Sequence, residues 1–168
     1  MTMMVRPAAI AAGILLAGAL AHPAAADDVL VTHRLSAALA NEIVTEVVAA
    51  CATQGYAETA VVVSADGVRQ AELRGDRAGA HTLDSANDKA YTSASFKADT
   101  GALVERAKST PVLVNLFKLP HLLLLGGGVV IKIGDEVVGA VGAAGAPGGD
   151  LDEGCARAGL DKVKDRLK

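Results

Sequence analysis

The chain has 168 residues, of which 51% are hydrophobic, 21% charged and 2% aromatic, a balance that fits one packed domain and argues against a disordered polymer or a multidomain enzyme. Sixteen Lys and Arg against 19 Asp and Glu leave a formal charge of −3, so no extended cationic surface exists to grip a phosphate backbone, and nucleic acid is excluded as a partner. The four aromatics (Tyr56, Tyr91, Phe96, Phe117) and the absence of Trp exclude a stacking platform for bases or sugars and make the core aliphatic.

Residues 1–26 carry one charge, Arg6, then an apolar stretch over about 8–21 and a small-residue run, Ala24-Ala25-Ala26, before Asp27-Asp28. This reads as a secretory signal peptide cleaved after Ala26, because the apolar stretch is too short and too rich in Ala and Gly for a membrane anchor. The mature chain of residues 27–168 is then one domain with 15 basic and 19 acidic residues and no second apolar run of membrane length. Secretion, or export to the periplasm, would permit a disulfide between Cys51 and Cys155, the alternative being two small buried thiols.

Apolar residues at helical spacing predict a first helix over about 35–54, with Gly55 at its C-terminal end. The run 59–64 (TAVVVS), the turn pair Asp66-Gly67 and the run 68–73 predict a β-hairpin. After the loop 74–81 a second helix starts at Thr82 or Ser85 and ends near Phe96, with Ala86, Ala90 and Ala94 as a small-residue face for close packing. Asp99 or Thr100 opens a short helix to Lys108, and Pro111 and Pro120 bracket an irregular apolar stretch. Three glycines, Gly126 to Gly128, lead into a second hairpin (129–133 and 136–141), and a last helix begins at Asp152 and Glu153, acidic where the helix dipole favours it. Helices at both ends around paired strands give an α+β layered domain, mainly antiparallel, rather than a βαβ nucleotide fold.

Templates for phosphate loops, zinc clusters and nucleophile elbows find no match. Arg74-Gly75-Asp76 is too short a motif to mark adhesion. Glu42 and Glu46 share a helix face that could meet a hard cation such as iron, but two ligands are too few, and a solvated acidic face is the better reading. Around the second helix, Arg74, Asp76 and His81 precede Ser85, Lys89, Tyr91 and Thr92, so cations, hydroxyls and an imidazole sit beside apolar, glycine-lined surface. Such a surface suits an apolar ligand that carries anionic groups, although capping and solvated charge explain it equally well.

The blocks LRGDRAG, DKAYTSAS, ADTGAL, LLLLGGG, EVVGAVG and APGGDLDEGCARAGL, in this order over residues 32–163, make the chain resemble the GlcG/HbpS family, or DUF336, and its secreted haem-binding members in particular. The resemblance implies a profilin-like layered domain, haem as ligand, homo-oligomers, and haem or iron sequestration with slow haem degradation or redox sensing as added roles. By position it brings forward Lys89, Tyr91 and Thr92, the flanking Arg74, Asp76 and Thr100, and the glycines Gly126, Gly127 and Gly128. A haem site needs an axial donor, an apolar slot and cations for the propionates. Thr92 and His81 are the candidates for the iron, His81 on its chemistry alone, and Arg74 and Lys89 for the propionates. His33 and His121, flanked by apolar residues, are read as capped or half-buried structural histidines. Two rivals stand beside this reading: an enzyme or accessory protein acting on a small organic acid, gripped by Arg74 and Lys89, and an oligomeric structural or signalling partner of a sensor or transporter without a ligand.

Overall fold

Ser36 starts the first element, its hydroxyl accepting the Leu39 amide at 3.2 Å, and α1 follows over Ala37–Thr53. The structure is a computed structural model and describes residues 29–168; its packed unit runs from Thr32 to Lys168, and the expected signal peptide lies outside the described residues. The β-branched run forms β1 (Thr59–Ser64), which turns through Asp66 and Gly67 into β2 (Arg69–Arg74). Two more strands, β3 (Gly128–Ile133) and β4 (Glu136–Ala144), complete one sheet of order β2-β1-β4-β3 with every neighbour antiparallel.

Alternation along β1 sorts the sheet into two faces. Ala60 and Val62 meet Leu39, Ile43, Val47 and Cys51 of α1 and Ala156 of the C-terminal helix, while Val61 and Val63 turn to α2 (His81–Phe96) and its Ala86, Ala90 and Ala94. The C-terminal helix, α4 (Gly149–Val163), packs beside α1. Shorter elements, α3 (Thr100–Ser109) and a 3₁₀ helix over Pro111–Lys118, link α2 to β3. The expected mainly antiparallel α+β layering is therefore the observed fold, and the structure puts the terminal helices on one face and the inner helix on the other.

Element ends moved for local reasons. A bulge between Val62 and Val63 leaves Val68 outside β2 and 66% exposed. Helix α2 begins one residue before Thr82, whose hydroxyl donates to the Gly79 carbonyl at 2.6 Å and pairs with the Thr59 hydroxyl at 2.6 Å. Asp99 does not cap α3 with its side chain; it accepts the Val130 amide at 2.9 Å and so ties α3 to β3. Strand β4 runs three residues past Val141, because Gly142, Ala143 and Ala144 are small enough to lie between the helix layers.

The alanine face of α2 lets the helix backbone approach β4. A Cβ on Gly142 would collide with the Ala86 carbonyl oxygen and stand 2.7 Å from the Ala90 nitrogen. Gly142→Ala should therefore cost about 3 kcal/mol, at the upper end of overpacking penalties, read as a lower urea midpoint with an unchanged slope. A change within 0.5 kcal/mol would show that α2 is free to lift off the sheet.

Candidate functional site

Three stripes of α2 have separate fates. Its alanines face the sheet. A second stripe carries Lys89, 1% exposed, whose ammonium reaches across the end of the sheet to Asp152 Oδ2 of α4 at 2.5 Å and the Ala143 carbonyl at 3.0 Å. Asp152 Oδ1 also accepts the Ala146 amide at 2.9 Å, which fixes the loop between β4 and α4. Lys89 is thus an internal brace, and to grip a propionate, as the sequence reading expects, it would have to leave Asp152 and strand a buried carboxylate.

Glu58, at the entrance to β1 and 1% exposed, stands beside this brace. Burial, then the charge of Asp152 and a hydrogen bond with it, push the Glu58 carboxyl up to about 8, against a smaller opposing pull from Lys89. Folded protein holds this proton at pH values where the unfolded chain releases it, so stability should fall as pH rises from about 4.5 to about 8, by up to about 1.4 kcal/mol per pH unit. Urea unfolding between pH 5 and pH 8 measures the slope. Glu58→Gln should flatten it, and an equal slope in the variant would assign the dependence to other groups.

The glycine block and Thr100 serve the same frame. Thr100 Oγ1 accepts the Gly128 amide at 2.8 Å, and a Cβ on Gly128 would run into the Lys89 carbonyl. Gly127 has φ of +121°, and a Cβ there would crowd the Lys89 ammonium at 2.9 Å. Gly126 alone of the three lines a groove, a space of about 520 Å³ walled by Val104, Leu124 and Leu125. The rim of that groove holds Glu105, Asp150 and Glu153 against one cation, Arg157. Arg157 is already bound to Asp99 at 2.6 Å and Glu153 at 2.7 Å, contacts that hold its guanidinium pKa above the usual value. The groove is therefore poorly suited to a dianionic ligand.

The third stripe faces outward and is covered by segment 119–125. Thr92, fully buried, accepts the Leu123 amide on its hydroxyl at 2.8 Å. One turn earlier Asp88 meets His121 Nδ1 at 3.3 Å, and the Tyr91 and His121 rings stand edge to face with centroids 6.3 Å apart. His121 holds φ of +65°, a conformation that costs a residue with a Cβ about 1 kcal/mol and needs support from its surroundings. Phe117 stacks on Phe96 at 5.6 Å, while Val112, Val114, Leu116 and Leu119 remain 43–71% exposed. Hydroxyls, an imidazole and apolar surface converge here around Tyr91 and Thr92.

The loop candidates lie at the other end of α2. Arg74 binds the Ala78 carbonyl through Nε at 2.8 Å and also through Nη2, so one guanidinium edge is used within its own loop. Asp76 is exposed at the rim of a hollow near Tyr56, and His81 is exposed beside Gly79. Eleven positions on one helix separate His81 from Thr92, about 16 Å of rise, so the two cannot serve one iron. The structure brings Tyr91 and Thr92 together with His121, and leaves Arg74, Asp76 and His81 as a separate group.

Two histidine readings change. His33 is largely exposed and pairs with Glu136 at 2.6 Å, which draws the Glu136 carboxyl below its usual range. His121 is also exposed and belongs to the Thr92 neighbourhood, a proximity the sequence could signal only through its place in the apolar stretch. Glu42 is ion-paired with Arg166, in line with a surface role. Cys51 and Cys155 form a disulfide with Cα atoms 5.2 Å apart, which resolves that alternative.

Comparison with known proteins places this architecture. A crystal structure of a double mutant of Streptomyces reticuli HbpS is 35% identical with a TM-score of 0.75, covering 85% of this chain and 97% of that one. Klebsiella pneumoniae ORFY, of the DUF336 family model, is 22% identical with a TM-score of 0.77, covering 83% of this chain and 97% of its own. PduOC, solved as a haem complex, is 19% identical with a TM-score of 0.71 over 77% and 94% of the two chains, and shows the fold alone. No curated protein sequence matches. Residues 35–161 match the model of the family described as haem degrading protein HbpS-like, and the chain belongs to that HbpS-like family.

Proposed function

We propose that this protein is an exported haem-binding protein that sequesters haem or iron as a homo-oligomer, with slow haem degradation or redox sensing as a further role and a sensor or transporter as its partner. Membership of the HbpS-like family over residues 35–161 carries this reading. Local chemistry supports it: segment 111–125 supplies apolar surface for a macrocycle, and Thr92, Tyr91 and His121 supply oxygen and nitrogen donors beside it. Bound haem would bring an iron centre capable of redox chemistry.

Thr92 is the first candidate for the iron and His81, exposed but distant, the alternative. Thr92 can reach a ligand only if segment 119–125 lifts. That movement gives up the Leu123 hydrogen bond, the His121 contacts with Asp88 and Tyr91 and one long turn contact, Leu122 to Leu119 at 3.4 Å, and breaks no strand pairing. Arg74 keeps a free guanidinium edge for a carboxylate, a role that Lys89 cannot take while it braces Asp152. The exposed apolar residues of the 3₁₀ segment support self-association. Absorption spectra of hemin-loaded Thr92→Ala and His81→Ala test the assignment. Loss of the ligand-dependent bands in Thr92→Ala alone is expected, and wild-type spectra in both variants would overturn both candidates.

A further inference from the structure

The junction of α1, α4 and the start of β1 holds a group of atoms that haem binding does not use. Cys51 Sγ, Cys155 Sγ and a Glu58 carboxylate oxygen lie within 4.8 Å of one another, and all three residues are buried. Glu58 Oε2 is 3.1 Å from Cys51 Sγ, and because a bridged sulfur has no proton to donate, the protonated Glu58 carboxyl is the only possible donor of this contact in the oxidised protein. No well-formed hydrogen bond reaches Glu58 Oε1, although Asp152 stands close enough to act on the carboxyl. An acidic side chain held against two sulfurs is the donor set of a soft divalent metal once the sulfurs are free.

We propose that the disulfide-reduced protein holds a thiophilic divalent cation of the zinc type between Cys51 Sγ, Cys155 Sγ and the Glu58 carboxylate, so that the bridge and the metal are alternative fastenings of α1 to α4. The reductant is a dithiol: the S–S bond accepts two electrons and two protons to give two thiols, while the two thiols of the reductant lose the same and become its disulfide. Metal binding then forms two metal–sulfur bonds and one metal–oxygen bond, and releases the two thiol protons and any Glu58 proton to solvent. Bonds of about 2.3 Å at the tetrahedral angle place the sulfurs about 3.8 Å apart, so the two sulfurs, joined in the oxidised protein, separate by side-chain rotation once the bridge is reduced. The cation balances two of the three donor charges; the Lys89 ammonium, paired with Asp152, offsets the rest only in part.

The test uses the mature chain in two forms, disulfide-bonded and reduced with dithiothreitol that is then removed without oxygen, titrated with Co²⁺ and with Zn²⁺ against a chromophoric chelator. Reduced protein should bind one metal per chain with the intense near-ultraviolet sulfur-to-cobalt band, and oxidised protein should show none. Glu58→Gln should weaken binding at least tenfold while keeping the band, and Cys155→Ser should roughly halve its intensity. Reduced protein with two titratable thiols that takes up no metal beyond the oxidised form overturns the proposal, as does unchanged affinity in Glu58→Gln. Should reduction unfold the chain, stoichiometric Zn²⁺ must restore its helical circular dichroism, and failure to do so also overturns it.

Discussion

Replacing Cys51 and Cys155 together by alanine is expected to lower the unfolding free energy by about 3–5 kcal/mol. The bridge joins residues 104 positions apart in sequence, and closing a loop of this length removes about 4.7 kcal/mol of chain entropy from the unfolded state in the simplest model, which native strain and residual structure reduce. Both sulfurs are fully buried between α1 and α4, so each alanine adds a small packing loss. Urea unfolding of the double variant beside the unreduced wild type gives the difference. Two reactive thiols in denatured, unreduced wild type, with a difference below 1 kcal/mol, would show that no bridge forms.

The second large effect concerns the Lys89–Asp152 pair. Asp152→Ala strands a buried ammonium and also removes the acceptor of the Ala146 amide, so a loss of about 3–5 kcal/mol is expected. Lys89→Met should cost a similar amount by stranding Asp152. The double variant Lys89→Met, Asp152→Leu removes both charges and keeps the volume, and should recover at least half of either single loss. Simple addition of the two losses would contradict a direct coupling. The double variant should also bind hemin as the wild type does, because Lys89 serves as a brace; a large loss of affinity in a folded double variant would return Lys89 to the ligand.

Layer order was legible in the sequence because it rests on periodicity. The β-branched run of β1, the Asp66-Gly67 turn and the alanine spacing of α2 each name an element and the face it buries. The roles of individual polar residues were not, because spacing along α2 puts Lys89 and Thr92 one turn apart without saying what covers them. Their partners Asp152 and Leu123 lie 63 and 31 residues away, and Asp152 read as an ordinary acidic residue in the first turn of α4. Glu58 sits just before a strand whose pattern begins only at Thr59, so nothing marked it as buried. Pairing of Cys51 with Cys155 depends on a Cα separation that only the packed helices define. His121 joins Tyr91 because the chain turns back over α2 through a left-handed residue, a conformation that histidine adopts less readily than glycine and that no local pattern announced.

The central claim is that this fold takes up haem. Titrating the purified, disulfide-bonded mature chain with hemin and following the Soret region tests it most directly. The account predicts a shifted Soret band that saturates at a fixed ratio of hemin to protein and weakens in Thr92→Ala; a spectrum that stays that of free hemin through stoichiometric addition would contradict it.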